Sequence, residues 1–239
     1  MQLLDLTLPT LAENLALDEA LLEEAEAGGE AADVLRLWES SEVGVVIGRA
    51  SKVDEEVDRE ACRRLGVSVH RRTSGGAAVL VGPGCLMYSV VLAYQRHPPL
   101  RIINEAHRHV LGALCAALRS VAPGVEAAGT SDLILEGRKF SGNSLRCKRD
   151  HLLYHGTLLY DFPLDRISTC LRMPPRQPDY REGREHTSFV TNIPLTNRLL
   201  REAIAAGWPI EGERTEWPRR RTRELVETRY ALDEWNLQR

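Results

Sequence analysis

No apolar run in this chain approaches the roughly 20 residues that a helix needs to cross a bilayer. The opening Met1-Gln2-Leu3-Leu4-Asp5 has neither the basic start nor the long apolar stretch of a secretory signal, so the expected compartment is the cytoplasm, with no membrane partner. Cysteine is sparse. Cys62, Cys85, Cys115, Cys147 and Cys170 form no C-x-x-C pair and are odd in number, which argues against a disulfide framework and a structural zinc site. No G-K-[ST] follows a glycine-rich loop, so there is no P-loop. Charge of one sign is not in excess either: 31 Lys and Arg against 34 Asp and Glu leave −3, too near balance to drive binding to nucleic acid. The basic cluster Arg219-Arg220-Arg221-Thr222-Arg223 lies among Glu213, Glu216, Glu224 and Glu227 and reads as a solvated helix start. No internal repeat or low-complexity tract is present.

What is present suffices for one good core and a small appendage: 239 residues, 43% hydrophobic. Thr10-Leu11-Ala12-Glu13 is a capping box that opens a helix through about Glu26, ended by Gly28-Gly29. Residues 34–38 and 43–47 are β-branched-rich runs around polar Glu39 to Glu42 and read as two strands and a turn. A short helix from Asp58 to Leu65, closed by Gly66, leads into an alternating strand, 67–71. Residues 86–92, 131–135 and 152–160 are further strands, and Ile103, Ala106, Val110, Leu114 and Ala117 mark one face of a long helix. Residues 161–194, rich in proline, read as an irregular connector, and 195–206 and 219–229 as helices. Uneven helices among alternating strands predict an α+β fold, a mixed or antiparallel sheet packed with helices, without a regular βαβ rhythm.

Two segments about sixty residues apart join glycine to a strong cation. The first is Arg71-Arg72-Thr73-Ser74-Gly75-Gly76-Ala77-Ala78-Val79; the second is Gly137-Arg138-Lys139-Phe140-Ser141-Gly142-Asn143-Ser144. Glycine admits a ligand to bare backbone N–H groups, and Arg and Lys add positive charge, so the pair describes an anion cradle for phosphate or carboxylate. Taken alone, the glycine pair would serve equally as a tight turn.

These segments resemble signatures of the lipoate protein ligase A and octanoyltransferase family: RR-x-SGGGAV, and D-L-x(n)-G-[RK]-K-[IVF]-[SA]-G-[SN] beginning at Asp132-Leu133. Tyr154-His155-Gly156-Thr157-Leu158-Leu159 is similar to the family's H-H-G-T-L-L strand, and Val45-Val46-Ile47-Gly48-Arg49 and Glu234-Trp235-Asn236 are also family-like. The resemblance is strongest over residues 67–160. It implies the catalytic fold shared with biotin protein ligases and related to class II aminoacyl-tRNA synthetases, with residues 1–195 catalytic and 196–239 a helical extension of the same domain.

The resemblance implies ATP-dependent joining of lipoate to a lysine of a lipoyl domain or H-protein-like acceptor, through lipoyl-AMP. Lys139 is then the catalytic residue, because activation brings carboxylate and α-phosphate together and a compact ammonium can bridge them. Arg72, with Ser74, Gly75, Gly76, Ala77, Ala78 and Val79, would position phosphate or acyl carboxylate, while Arg71, pointing the other way on an alternating strand, would face solvent. Asp132 is a candidate for Mg²⁺ or a ribose contact, or is simply a turn residue. Ser141 and Gly142 would let backbone approach the ligand. His155, Gly156 and Thr157 would line the same pocket, with His155 equally readable as a core histidine.

Three positions depart from the family pattern: Ala77 replaces a glycine and narrows the cradle, Val81 stands where histidine is common, and Ser131 where asparagine is. The sequence after the core leaves no room for the accessory domain of long ligases, which points to a separate accessory subunit. An octanoyltransferase passes the acyl group through a cysteine thioester instead. In one branch that cysteine precedes the G-R-K strand, and the matching stretch Gly124 to Ser131 contains none. In the other it follows the H-G strand, with Cys170 roughly in register; Cys147 matches neither branch. A third reading is a non-catalytic protein that binds lipoyl domains. Biotin ligation is disfavoured because G-R-G-R-x-G-R is absent.

Overall fold

The computed structural model describes residues 1–28 and 33–239, so Gly29, where the first helix was expected to stop, lies outside the described residues. Eleven strands are described: β1 (Gln2–Asp5), β2 (Val34–Trp38), β3 (Gly44–Ile47), β4 (Ser68–Arg71), β5 (Val79–Val81), β6 (Cys85–Ala93), β7 (Glu126–Ala128), β8 (Asp132–Leu135), β9 (Arg138–Cys147), β10 (His151–Leu159) and β11 (Gly212–Glu213). The helices are α1 (Leu11–Gly28), α2 (Val53–Glu56), α3 (Arg59–Leu65), α4 (Ile103–Arg119), α5 (Asp165–Cys170), α6 (His186–Phe189), α7 (Asn197–Ala206), α8 (Arg219–Leu225) and α9 (Asp233–Asn236). None is long and apolar enough to cross a membrane.

The fold is α+β. A large mixed sheet runs β11-β1-β2-β6-β10-β9-β8-β7, and a small one runs β4-β3-β5. One face of the large sheet buries Tyr88, Val90, Leu152 and Tyr154 against Val110, Leu114 and Leu118 of α4 and Leu200 and Ile204 of α7. The opposite face meets α1 and the small sheet. Residues 34–38 and 43–47 do not pair with each other as their spacing suggested: β2 joins β1 and β6, whereas β3 pairs parallel with β4 and antiparallel with β5. The turn between them, held by Ser40 Oγ on Glu42 O, carries the chain from one sheet to the other.

Helix α1 starts as its capping box dictates: Thr10 N–H donates to Glu13 Oε2 at 2.9 Å, and Glu13 N–H to Thr10 Oγ1 at 3.2 Å. It is buried on most sides, so its polar residues need partners. Asp18 Oδ1 accepts from Arg36 Nη1 at 2.6 Å and from Ser89 Oγ at 2.9 Å, and Asn14 Oδ1 accepts from Arg36 Nη2. Burial pushes the Asp18 carboxyl up, but Arg36 and His155 outweigh it and hold the group below its ordinary value. Helix α3 is closed at both ends as expected, by the Asp58 side chain on Ala61 N–H and by Gly66 in the left-handed region.

Removing one partner of a buried ion pair strands the other charge. Arg36→Met is expected to lower the unfolding free energy by about 3–5 kcal/mol in denaturant titrations. Because the folded-state value of Asp18 is depressed, its contribution is present above about pH 4 and is lost as pH falls through that lower value. The gap between wild type and variant should therefore narrow in acid; a gap that widens would contradict the assignment.

Candidate active site

Residues 139 and 142 are three apart and would face opposite sides of a regular strand. A bulge reverses this. Opposite β9, Asp132 pairs with Gly142 and Leu133 with Ser141, but Ile134 pairs with Lys139, leaving Phe140 as an extra residue. Phe140 sinks into the core shared with α4, and Lys139 is turned onto the face of Gly142. A Cβ at position 142 would lie 2.9 Å from Lys139 Nζ, so glycine is what admits the amine. Nζ ends 2.7 Å from Asp132 Oδ1, and Tyr180 Oη donates to Asp132 Oδ2 at 2.7 Å. Lys139 thus lies within a strand, where a loop or strand edge was expected. The whole of β9 is largely polar, which hid it.

The loop between β4 and β5 is shaped by its own arginines. Arg71 does not face solvent: it is fully buried, donating through Nη1 to Gly48 O and Ser51 O and through Nε to Trp235 O. The two arginines do differ in role, as alternation predicted, but both are internal. Arg72 was expected to grip an anion with its fork. Instead Nε donates to Ser74 Oγ and Gly75 O, Nη1 to Val46 O at 2.9 Å, and Nη2 to Gly75 O and Ala77 O. Burial pushes its guanidinium down to about 10. Gly76 has φ +89°, and a Cβ there would sit 2.7 Å from Arg72 Nη2. Gly48 is needed for the same packing, since its Cβ would lie 2.0 Å from Gly76 O. The N–H of Ala78 is already taken by Glu56 Oε2 at 2.6 Å, so this part of the cradle is not bare.

On β10, His155 is neither free nor a bland core residue: Nε2 lies 2.6 Å from Ser74 Oγ and Nδ1 3.7 Å from Asp18 Oδ2. Gly156, expected to admit a ligand, makes room for Asn143, whose Oδ1 would be 1.8 Å from a Cβ there and accepts from Tyr88 Oη. Thr157 Oγ1 accepts from Gly142 N–H at 3.3 Å, and Ser141 Oγ accepts from Asn143 Nδ2.

Two cavities meet here. One is largely apolar, lined by Leu80, Leu159, Ile167, Leu171, Phe189 and Val190. The other is a more open groove of mixed character, lined by Arg72, Asp132, Asn143, Ser144 and His155 and by apolar Leu15, Val46 and Met87. Ala77, Ala78, Val79, Lys139, Gly142 and Thr157 line both. The stretch 161–194 is not a bare connector: it forms α5 and α6 and supplies Tyr180, Phe189 and Val190. Sequence reasoning missed Tyr180, Glu56 and Asp18; the first lies in a polar proline-rich run and the others in helices, with no short motif to mark them.

No cysteine lines either cavity. Cys170 is buried beside Cys62, whose Sγ lies 3.8 Å from Cys170 O, and burial pushes both thiols up. Cys147 is exposed but eight residues along β9 from Lys139, about 26 Å at strand rise. Among the described residues no group of three or more His, Cys, Asp or Glu is placed to hold a metal ion.

This arrangement is that of the lipoate ligase and octanoyltransferase class of enzymes. Residues 10–203 match the lipoyl protein ligase A/B catalytic domain, and the chain belongs to that family. It is 30% identical to an octanoyltransferase LipM of Carboxydothermus hydrogenoformans over 94% of this chain and 93% of that protein. Its fold matches a bi-partite lipoate protein ligase of Thermoplasma acidophilum with a TM-score of 0.85 at 24% identity, covering 99% of this chain and 95% of the other. A lipoate-protein ligase A bound with ATP matches at a TM-score of 0.81 and 25% identity, over 99% of this chain and 98% of the other.

A lysine at position 72 cannot serve Val46 O, Gly75 O, Ala77 O and Ser74 Oγ together. Arg72→Lys is expected to cost about 1–3 kcal/mol in urea unfolding. An unchanged midpoint would show that the loop does not depend on the fork.

Proposed function

We propose that this chain is a lipoate-protein ligase that forms lipoyl-AMP from lipoate and ATP and passes the lipoyl group to a lysine of a lipoyl-domain acceptor. The observation that carries the reading is the Lys139 amine, standing where the two cavities meet, with no thiol lining either. An acyl chain laid in the apolar cavity brings its carboxylate to that junction. There one ammonium can neutralise carboxylate and α-phosphate together, and Asp132 holds it in place until they arrive. The nucleotide would lie along the open groove, where Asp132, Asn143 and Ser144 supply polar groups, against the loop of Ser74, Gly75, Gly76 and Ala77.

ATP brings Mg²⁺, which commonly needs one or two carboxylates besides the phosphates. Asp132 suits this task poorly as placed, because Lys139 and Tyr180 already engage both oxygens; a cation there would have to displace them. We read residues 1–195 as the catalytic part and 196–239 as an extension of the same domain, since Trp235 Nε1 donates to Arg71 O and Asn236 Oδ1 accepts from Arg71 N–H. A separate accessory subunit is a fitting partner, as the Thermoplasma acidophilum ligase is bi-partite.

A second reading, octanoyl transfer without ATP, is favoured by the likeness to LipM. It requires a thioester-forming cysteine, and the buried Cys170 is the opposite of an activated thiol.

Lipoate-dependent exchange between ATP and pyrophosphate separates the two readings. The ligase shows exchange, keeps it in a Cys147→Ser/Cys170→Ala double variant, and loses at least about 10²-fold in Lys139→Ala. Acyl transfer only from an octanoyl thioester, abolished in the double variant, would establish the transferase.

A further inference from the structure

Arg181 is a buried cation whose every direct partner is neutral. It is 3% exposed; Nε donates to Arg184 O at 2.9 Å, Nη2 to Met173 Sδ at 3.2 Å and to His186 Nδ1 at 3.4 Å, and the guanidinium lies 4.5 Å from the centroid of the Phe189 ring. His186 Nδ1 accepts because Nε2 donates to Arg172 O, and burial pushes the ring below its ordinary value, so it carries no charge at neutral pH. Glu185 and Asp132 act on Arg181 only through space, and neither forms an ion pair with it among the described residues. A second guanidinium, Arg184, stands 5.4 Å from the same ring centroid and adds like charge. A cation buried in this way is costly unless an anion meets it during function.

Arg72 spends Nε, Nη1 and Nη2 on oxygens of its own loop. Arg181 differs: Nη1 has no hydrogen-bond partner among the described residues and is not one of the polar atoms sealed inside the protein. Its open side is the apolar cavity, which Arg181 and Lys139 line together. Phe189, the ring on which Arg181 rests, is followed by Val190, which pairs with Lys139 itself. Two further charged side chains line this cavity and both are engaged elsewhere: Glu56 Oε2 accepts from Ala78 N–H, and the exposed Arg172 donates to Asp54 O.

We propose that Arg181 is a specificity-determining residue that binds the carboxylate of a free acid in the apolar cavity, so that the acyl substrate is taken as an anion and not as a thioester. This rests on the ligase reading and adds to it the residue that selects the charge state of the acyl substrate. Nη1 gives one carboxylate oxygen a charge-assisted hydrogen bond, which leaves Lys139 for the other oxygen and the α-phosphate. A thioester brings no negative charge and would leave the guanidinium buried and unpaired, a penalty set against the wrong substrate.

Calorimetry without nucleotide tests this with octanoate and octanamide, two ligands alike in shape that differ in charge. The wild type is expected to prefer the acid. In Arg181→Met that preference falls by about 10-fold or more, through weaker binding of octanoate with octanamide unchanged. In Lys139→Met, which keeps Arg181, the acid is still preferred, and this variant decides the matter even where Arg181→Met fails to fold. Equal weakening of both ligands in Arg181→Met would show a packing role, and loss of the preference in Lys139→Met would assign recognition to that lysine alone; either result overturns the proposal. Exchange of ATP with pyrophosphate on the same wild-type preparation tests the ligase reading separately: no exchange would sink that reading, while the acid-to-amide preference still judges Arg181.

Discussion

One extra residue in a strand decides where the Lys139 amine stands. Without Phe140 out of register, Lys139 would point into the core beneath the sheet, and a charge there would be driven to neutralise or to find a buried partner. With the bulge, the side chain crosses over Gly142 to Asp132, at the boundary between the two cavities. The placement is local and geometric. It also gives Gly142 a role distinct from the ligand access that its motif suggests, since a side chain there would push the Lys139 amine aside.

The second constraint is the loop of Arg72. Chains that bind anions with glycine-rich loops must hold those loops open without secondary structure, and here a buried guanidinium does so by bonding three backbone carbonyls. Arg71 does the same for the preceding chain reversal and is itself held by Trp235 and Asn236 near the C-terminus. The two arginines therefore build the site, and Arg72 also lines its groove. Lys139 is the cation that both cavities share.

Much of this was legible in the sequence. The capping box at Thr10, the αL glycine at position 66, the Ala106, Val110 and Leu114 face of α4 and the α+β class all follow from short-range rules, whereas Ile103, expected on that face, is exposed at the helix start. Motif spacing likewise brought Arg72, Lys139 and His155 to one place. What stayed hidden depends on pairing across the fold. The sequence-adjacent strands β2 and β3 separate because each finds a better partner in a different sheet, and β9 is too polar to announce itself as a central strand. Arg71 was misread, and the structural duties of Arg72 and Gly156 went unseen, for one reason: an arginine or glycine beside a ligand motif looks the same whether it serves the ligand or the loop. Asp18 could not be singled out at all, since a carboxylate in a helix gives no sign that the helix will be buried.

The central claim is that hydrocarbon and phosphate meet at Lys139. A crystal structure with a non-hydrolysable lipoyl adenylate analogue tests it most directly. The account predicts the acyl chain between Leu159, Ile167 and Phe189, the phosphoryl group within hydrogen-bond reach of Lys139 Nζ, and Asp132 released from the amine. An analogue bound elsewhere, or lying wholly in the open groove with Lys139 still paired to Asp132, would contradict it.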